Sequence, residues 1–301
     1  MSESTPKAQA SPPRTVRDLV SLGRSYLERQ GLASPRLEVE LLVAHALGTD
    51  RLQLFLQLDR PVEEAEVTQA RELLMRRAKG EPSAYLTGRR EFYCRDFAVG
   101  PGVLIPRPET ELIVDLGRER VGREPGIRIL DVGTGSGCLA ITLAMEVEGS
   151  HVTAVELSPE ALAYAIKNSE RIGPHERPVE FLLGDGLEPV KGQRFDLVVS
   201  NPPYIRPESK SELSPSVSEY EPELALYTPS EERDHWVRLL VSAEDLLEPG
   251  GTLLVELGFD QESSVRAWLE EQGHAYRIHE DLEGIPRVLE LGPGVHSEEL
   301  G

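Results

Sequence analysis

The sequence has few cysteines, no long apolar segment and no cluster of basic residues, and each absence excludes a class of protein. Only two cysteines, Cys94 and Cys138, occur among 301 residues, and they lack CxxC spacing. The seven histidines do not group with cysteines or carboxylates at metal-ligand spacings. We therefore predict neither a disulfide framework nor a zinc site, and no bound metal.

Membrane insertion and secretion are likewise not expected from the sequence. No run of about 18 apolar residues occurs, which a membrane-spanning helix would need. The amino-terminal stretch MSESTPKAQASPPR lacks the apolar segment that follows the charged start of a secretory signal. These features predict a cytoplasmic protein without a membrane partner.

The charge of the chain is strongly acidic and unevenly distributed. The formal net charge is −20, yet residues 1–85 contain 12 basic and 12 acidic residues, so the whole excess lies beyond residue 85. Contacts from Lys and Arg to phosphates dominate affinity for nucleic acids. The acidic half, which contains no Lys/Arg-rich run, therefore argues against direct nucleic-acid binding and favours a contribution to solubility.

Length and local pattern predict two domains with flexible ends. The predicted parts are a disordered tail over 1–14, a helical bundle over 15–85, a hairpin linker over 86–108, an α/β domain over 109–292 and a flexible tail over 293–301.

The bundle is predicted from three amphipathic segments and one shorter apolar piece, RLQLFLQLD, which together indicate four or five helices. Thr15 and Asp18 have the spacing of a capping box at the start of the first helix. Ser34 is the predicted cap of the second helix, with Pro35 in its first turn. Helical segments of this kind bury one face each and need one another to form a core.

Beyond the bundle, REFYCRDFAVGPGVLIPRPET alternates aromatic and polar residues around turn signals and predicts a hairpin or extended linker. Strands and helices then alternate from about residue 110 onward. This alternation predicts an α/β fold, a mostly parallel sheet with helices on both faces. Ligands of such sheets bind beyond the carboxyl ends of the strands, where the strand order reverses.

A glycine-rich loop in ILDVGTGSGCLAI joins the first of these strands to its helix. Gly133, Gly135 and Gly137 allow backbone conformations and a close approach that a Cβ would prevent. Position 138 is Cys, so the pattern differs from the dinucleotide fingerprint GxGxxG. With Asp131 before it, the loop resembles that of S-adenosylmethionine-dependent methyltransferases; a simple tight turn is the alternative.

Acidic residues end the next two strands. Glu156 closes AVE, where a carboxylate can accept hydrogen bonds from both hydroxyls of a ribose. Asp185 and Gly186 follow the third strand. An acid there can accept a hydrogen bond from the exocyclic amine of adenine, and a small neighbour leaves room for the adenine ring. An ordinary surface acid and a DG turn are the alternatives for these positions.

The stretch VVSNPPYI ends the fourth strand with an amide, two prolines and a phenol. Pro202 and Pro203 hold the loop rigid, so the side-chain oxygen of Asn201 and the carbonyl of Pro202 can both accept hydrogen bonds from one planar NH2 group. Two such acceptors orient the lone pair of a poorly nucleophilic, conjugated amine towards a methyl donor. Tyr204 would stack on the planar group; a turn without chemistry is the alternative.

Together NPPY and DVGTGSG resemble the amino-methyltransferases, whose targets include adenine, guanine and glutamine amides. Further stretches narrow the resemblance to the HemK family of protein-glutamine methyltransferases, over roughly residues 15 to 290. They are GEPSAYLTGRREFY at 80–93, VLIPRPETE at 103–111, EYEPELAL at 219–226 and DLEGIPRV at 281–288.

The resemblance implies a Rossmann-like class I methyltransferase domain with a seven-stranded, mostly parallel sheet, preceded by the helical bundle. It implies S-adenosyl-L-methionine as cofactor and peptide chain release factors as substrate, methylated on the glutamine of their Gly-Gly-Gln loop. The helical domain of that family helps to dock the release factor. We expect a monomer.

Site residues implied by the resemblance fall into three groups. Those expected to hold the cofactor are Gly133, Thr134, Gly135, Ser136, Gly137, Glu156, Asp185, Gly186 and Asn201. Those expected to hold the glutamine or shape the pocket wall are Asn201, Pro202, Pro203, Tyr204, Phe92, Arg107 and Glu109. Asn201, Pro202 and Tyr204 are the predicted catalytic residues.

The sequence departs from the family pattern at two places and leaves other functions open. Cys94 stands where the family has glycine, and the segment 227–240 replaces a glycine-rich stretch, which affects the expected contacts with the protein substrate. An adenine or ribosomal-RNA exocyclic-amine methyltransferase would use the same NPPY chemistry. An NAD-dependent oxidoreductase would need the dinucleotide glycine spacing, and a non-catalytic binding factor would not need Asn201.

Overall fold

The computed structural model describes residues 14–122, 125–176, 178–228 and 235–292. The two predicted tails, except Arg14, lie outside the described residues. The chain divides into two units, of which the first ends at Thr87 and the second begins at Gly88. Each unit has its own buried apolar residues.

The first unit is helical in the part of it that the structure describes. Its helices are α1 (Val16–Arg29), α2 (Pro35–Ala46), α3 (Arg51–Leu56), α4 (Glu64–Ala78) and α5 (Ser83–Thr87). The predicted capping box is confirmed, because the Thr15 hydroxyl accepts from the Asp18 amide while the Asp18 carboxylate accepts from the Thr15 amide. Ser34 is the N-cap of α2 and Pro35 begins the helix, as predicted, although the Ser34 side chain makes no capping hydrogen bond.

The second unit begins with an antiparallel hairpin of β1 (Arg89–Phe92) and β2 (Arg95–Ala98). Its turn residues Tyr93 and Cys94 both have positive φ, 49° and 57°. A two-residue turn with both φ values positive matches the twist of the strands and favours glycine. Cys94 therefore occupies the position at which the family pattern has glycine.

The hairpin predicted within 86–108 is present, but it is part of the core of the second unit and not a separate linker. Phe92 and Phe97 are buried and meet edge to face with ring centroids 6.0 Å apart. The buried Asn168 side chain accepts from the Ala98 amide at 2.7 Å and donates to the Ala98 carbonyl at 3.0 Å. The alternating aromatics that predicted the hairpin place one apolar face inside the unit.

A seven-stranded sheet follows, as predicted. Its strands in chain order are β3 (Arg128–Val132), β4 (His151–Glu156), β5 (Glu180–Leu183), β6 (Phe195–Ser200), β7 (Leu247–Glu256), β8 (Arg277–Glu280) and β9 (Pro286–Leu291). The spatial order is β5-β4-β3-β6-β7-β9-β8; neighbours from β5 to β7 are parallel, and β9 is antiparallel to both of its neighbours. Strand order reverses between β3 and β6, which is where ligands bind in such sheets.

Helices of the second unit connect these strands. They are α6 (Glu111–Val121), α7 (Cys138–Glu146), α8 (Pro159–Ile172), α9 (Pro215–Ser218), α10 (Glu223–Leu226), α11 (His235–Val241), α12 (Ala243–Leu246) and α13 (Glu262–Gln272). Short 3-10 turns cover Pro108–Thr110, Glu188–Val190 and Pro207–Glu212. Among the described helices, none is both long and apolar enough to cross a membrane.

Both faces of the sheet are buried, which explains the continuous apolar runs in its central strands. Ile129 and Leu197 belong to the apolar cluster on one face, whereas their neighbours Leu130 and Val198 belong to the cluster on the other. Successive side chains of a strand point to opposite faces, so a strand covered on both sides has no polar alternation. The α/β prediction is confirmed.

Glu290 in β9 gives a testable pH dependence of stability. Burial raises the pKa of this carboxyl, but hydrogen bonds from His279 and Arg120 outweigh burial and hold its pKa at about 2. Because the folded pKa lies below the usual 4.5, the stabilisation is present above pH 4.5 and is lost as the pH falls towards 2. In urea titrations across this range, we expect Glu290→Gln to be less stable than wild type at pH 6 and the difference to shrink towards pH 2. A difference that is constant with pH would contradict this assignment.

Candidate active site

A cavity of about 1360 Å³ lies at the carboxyl ends of β3, β4, β5 and β6, on both sides of the strand-order reversal. This volume exceeds the roughly 300 to 1,000 Å³ of most small-molecule pockets and leaves space for a cofactor and a substrate side chain. The structure brings most of the predicted site residues to its wall. They are Gly133, Thr134, Gly135, Ser136, Glu156, Asp185, Gly186, Asn201, Pro202, Pro203 and Arg107.

The glycine loop between β3 and α7 leaves open space at the cavity. Gly133 and Gly135 have φ values of 74° and 58°, and a Cβ at either position would meet no atom within 4 Å. The Gly133 amide donates to the Val155 carbonyl at 2.9 Å, which ties the loop to β4. Glycine is thus required here by backbone conformation, and the vacant volume above the loop can accommodate a ligand.

Asp131, in β3, holds this loop and the start of α7 by hydrogen bonds. It is fully buried, and its Oδ2 accepts hydrogen bonds from the Thr134 hydroxyl at 2.6 Å and the Ala140 amide at 3.1 Å. Burial raises the pKa of Asp131 to about 7. The carboxyl therefore fixes the loop relative to the start of α7, although burying an acidic group is itself unfavourable.

Glu156 at the end of β4 faces the cavity with a preorganised carboxylate. Its Oε2 accepts from the Gly135 amide and its Oε1 from the Ser158 amide, both at 2.8 Å. Each carboxylate oxygen can accept more than one hydrogen bond, so each keeps capacity for a ligand hydroxyl. Asp185 and Gly186 border the same cavity beyond β5, with Asp185 exposed and Gly186 at a φ of 53°.

The asparagine-proline corner, residues 201–203, follows β6 and lies directly beside the glycine loop. The Ser200 hydroxyl donates to the Val132 carbonyl at 2.7 Å and joins the ends of β6 and β3. Asn201 donates through Nδ2 to the Thr110 hydroxyl at 3.0 Å, and Thr110 donates to Glu256 at 2.6 Å. These bonds engage the nitrogen end of the Asn201 amide and leave its oxygen end as an acceptor.

Arg107 lies on the cavity wall and is held there by Glu221, whose side chain is buried. The two side chains are 2.6 Å apart, and the second oxygen of Glu221 accepts from the Ile105 amide at 3.0 Å. Glu221 thereby connects the IPRPET segment to the EYEPELAL segment, 114 residues later. The divergent segment 227–240 continues from there, and its residues 229–234 lie outside the described residues.

Four predicted site residues do not border the cavity. Gly137 is the N-cap of α7, and a Cβ there would lie 3.2 Å from the Cα of Ala165, so its role is close packing against α8. Glu109 is half-buried and does not line the cavity, although its neighbour Thr110 does. Tyr204 packs on Gly258, where a Cβ would lie 2.9 Å from its ring, and burial raises the pKa of its phenol.

Phe92 is the fourth of these residues, and the prediction that it shapes the pocket wall is wrong. Its ring is 1% exposed and contributes to the apolar cluster that includes Phe97. The sequence around Phe92 does not distinguish a position on the pocket wall from one in the core, because an aromatic side chain suits both.

A core position predicts a large effect on stability. We expect Phe92→Ala to lower the free energy of unfolding by about 3 to 5 kcal/mol, because it removes a buried ring and leaves a cavity. Urea denaturation measures this loss. The milder Phe92→Leu variant is expected to keep its substrate KM within about twofold. Wild-type stability of Phe92→Ala, combined with a changed KM, would return Phe92 to the pocket wall.

Sequence reasoning missed three residues that the structure joins to the site: Thr110, Glu221 and Glu256. Glu256 did carry a signal, because it ends an otherwise apolar parallel strand in the same way as Glu156. Thr110 and Glu221 lie in motifs that had been recognised, but no spacing rule identifies their partners. Within the described ranges, no group of three or more His, Cys, Asp or Glu residues could hold a metal ion.

The strand order, the glycine loop after β3 and the acid at the end of β4 define this protein as a class I methyltransferase. The hMettl16 catalytic domain has the same fold, with a TM-score of 0.52 and 16% identity over 78% of this chain and 84% of that one. At this identity the similarity concerns the fold alone.

Sequence relatives define the family within this class. Residues 18–88 match the PrmC N-terminal domain, and residues 112–214 match the Methyltransferase small domain. The release factor glutamine methyltransferase of Geobacter sulfurreducens is 42% identical over 91% of this chain and 95% of its own length. That of Koribacter versatilis is 40% identical over 91% of this chain and 97% of its own. The chain belongs to the release factor glutamine methyltransferase family.

Proposed function

We propose that this protein transfers a methyl group from S-adenosyl-L-methionine to the side-chain amide nitrogen of the glutamine in the Gly-Gly-Gln loop of peptide chain release factors. The observation that carries the proposal is the Asn201 amide, whose nitrogen is engaged by Thr110 so that its oxygen is kept as an acceptor beside the glycine loop. Full-length relatives at about 40% identity bear the same function in their names.

The residues present fit the proposed cofactor. The open volume above Gly133 and Gly135 can admit a ligand that a Cβ would obstruct, and the backbone there already has the required positive φ. Glu156 would accept hydrogen bonds from the ribose hydroxyls, and Asp185 from the adenine amine, with Gly186 leaving room for the ring. When bound, this cofactor supplies a methyl group that is activated by a positively charged sulfur.

The asparagine-proline corner would orient the glutamine. Asn201 Oδ1 and the Pro202 carbonyl accept the two hydrogens of the substrate amide, and the two prolines hold these acceptors in place before the substrate arrives. In this orientation the nitrogen lone pair is directed at the methyl carbon. The bound cofactor would supply the methyl carbon and would leave with its sulfur neutral, and the methylated substrate nitrogen would lose its proton to water.

No strong general base is required for this reaction, because the amide nitrogen becomes acidic once it carries the methyl group. The corner instead contributes position and electrostatics, which are large terms when the acceptors are fixed in advance. Arg107, held by Glu221, contributes a positive charge at the cavity wall. We assign it to binding of the protein substrate.

The helical unit is proposed to contribute to docking of the release factor. Residues 18–88 match the PrmC N-terminal domain, and residues 1–85 carry balanced charge while the rest of the chain is acidic. Direct nucleic-acid binding is not part of the proposal, because the acidic catalytic unit would repel phosphates. The cytoplasmic location and the monomeric state remain predictions.

Mass spectrometry of the substrate tests the proposal. The protein is incubated with a whole release factor and labelled cofactor, and the peptide that contains Gly-Gly-Gln is analysed. We expect one added methyl group on the glutamine and none on a factor in which this glutamine is replaced by alanine. An unmodified factor, together with methyl transfer to adenine in DNA or to ribosomal RNA, would favour the exocyclic-amine alternative.

A further inference from the structure

Three polar side chains form a continuous hydrogen-bonded chain behind the asparagine-proline corner. Asn201 Nδ2 lies 3.0 Å from Thr110 Oγ1, and Thr110 Oγ1 lies 2.6 Å from Glu256 Oε2. Thr110 and Glu256 are each 2% exposed. Only Asn201 and Thr110 reach the cavity wall, so Glu256 acts on the site through Thr110.

The sheet itself places these groups together. Ser200 pairs with Val255, so the next residues, Asn201 and Glu256, leave adjacent parallel strands side by side. Thr110 ends the 3-10 turn before α6 and lies between their side chains. The three residues are separated by 91 and 146 positions in sequence, and only the fold brings them together.

The number of available hydrogens determines which group donates and which accepts in each of these hydrogen bonds. A threonine hydroxyl has one hydrogen, which Thr110 donates to the ionised Glu256 carboxylate, so towards Asn201 it can only accept. The side chain of Asn201 must then turn its NH2 group to Thr110 and its oxygen to the cavity. An asparagine amide is nearly symmetric in shape, so without such a partner either end could face the substrate.

We propose that Thr110 and Glu256 are positioning residues that select the orientation of the Asn201 amide in which its oxygen faces the substrate amine. This inference rests on the proposed function, since it concerns the same acceptor. A reversed amide would present NH2 to the NH2 of glutamine, a donor facing a donor, and would lose the hydrogen bond that orients the nucleophile.

Because Thr110 donates to Glu256 only while Glu256 is ionised, the orientation of Asn201 depends on the protonation state of Glu256. Burial raises the pKa of Glu256 to about 7, and the charge of Glu109 adds to this rise. The hydrogen bond from Thr110 and the charges of Arg287 and Arg107 oppose it. The charge of Glu256 in turn contributes to the raised pKa of the Tyr204 phenol and of the Cys138 thiol.

Protonation of Glu256 reverses the chain of hydrogen bonds. A protonated carboxyl donates to Thr110, which can then donate its own hydrogen to Asn201 Oδ1 and turn the amide around. The competent orientation therefore belongs to the ionised form, and turnover should fall by about tenfold per pH unit below the pKa of Glu256.

Paired variants test the inference. Thr110→Val removes the hydroxyl at nearly constant volume, and Thr110→Ser keeps it. Glu256→Gln is close to isosteric but can donate to Thr110 at every pH. We expect kcat to fall about tenfold or more in Thr110→Val and Glu256→Gln, with cofactor affinity within about threefold of wild type, and Thr110→Ser to retain most of the activity. The decrease of kcat below pH 7 should be absent in Glu256→Gln.

Two matched controls separate positioning from loss of stability. Thr142→Val alters a buried threonine of α7 whose hydroxyl makes no hydrogen bond in the described part of the chain. Glu290→Gln removes a buried carboxylate of the same sheet, far along the strand order from the glycine loop. Both should keep the wild-type pH profile of kcat, and circular dichroism confirms folding of every variant.

A second measurement does not depend on turnover. The NMR signals of the Asn201 side-chain amide, assigned by their loss in Asn201→Asp, should shift with a midpoint near pH 7 in wild type. In Glu256→Gln the shift should be absent. Wild-type kcat in Thr110→Val and Glu256→Gln, equal losses in Thr110→Ser and Thr110→Val, or an amide signal that is independent of pH would each overturn the inference. Absence of glutamine methylation by the wild type would instead refute the proposed function, while the NMR titration would still test the hydrogen-bonded chain.

Discussion

Asn201→Ala is expected to reduce methyl transfer to the release factor by about a hundredfold or more, while affinity for S-adenosyl-L-methionine changes by no more than a few-fold. Removal of one preorganised polar group that acts on the reacting centre typically has an effect of this size. The side chain is not buried among apolar residues, and its hydrogen bond goes to Thr110 at the cavity wall. Its loss should therefore affect orientation of the substrate amine more than folding.

Single-turnover kinetics with saturating release factor measure the chemical step, and calorimetry measures cofactor affinity. Asn201→Asp is the informative companion variant, because it keeps an acceptor but replaces the group that donates to Thr110 with a second carboxylate near Glu256. We expect it to be impaired as well. Turnover of Asn201→Ala near that of wild type would remove Asn201 from the mechanism.

Glu156→Ala is expected to weaken cofactor binding by about tenfold to a hundredfold, the cost of losing charged hydrogen bonds to two hydroxyls. The variant also removes the acceptor of the Gly135 and Ser158 amides, so the glycine loop loses a constraint. Glu156→Gln should be impaired too, since one end of its amide would place a donor against a backbone donor. The chemical step at saturating cofactor should be affected less than binding.

Calorimetry of the cofactor and of its demethylated product provides the measurement. Glu170→Gln, an exposed position in the last turn of α8, is a suitable control for the loss of one negative charge away from the cavity. Unchanged affinity in Glu156→Ala would contradict the assignment of this carboxylate to the ribose. Asn201→Ala and Glu156→Ala also serve as controls for each other, because one should impair turnover and the other binding.

Much of the fold could be predicted from local pattern. Apolar periodicity and the Thr15–Asp18 capping box located α1, and alternating strand and helix signals located the parallel sheet. The glycine loop, the acid at the end of β4 and the asparagine-proline corner were each recognisable as short motifs, and the structure places all three around one cavity. These features depend on neighbouring residues, so a short stretch of sequence contains the information.

Other residues could not be assigned in this way. Phe92 was expected on the pocket wall but is buried with Phe97, because the periodicity of a hairpin does not tell which surface covers its apolar face. Gly137 was expected at the cofactor, yet the close approach of α8 explains it. The apolar cluster around Phe92 includes residues of α6 and α7, and Gly137 packs against α8, so in both cases the deciding neighbours lie outside the local motif.

The sequence by itself determined that this protein has a helical unit followed by a class I methyltransferase sheet, and which motifs end its strands, because these depend on spacing over a few residues. Only the tertiary structure decided which atoms of those motifs are available to a ligand. Asn201 is oriented by the hydrogen bond that it donates to Thr110, 91 positions away in the sequence, and Thr110 by the one that it donates to Glu256, 146 positions from Thr110. Adjacent parallel strands bring such groups together, and the single hydroxyl hydrogen of Thr110 then sets the direction of the whole arrangement.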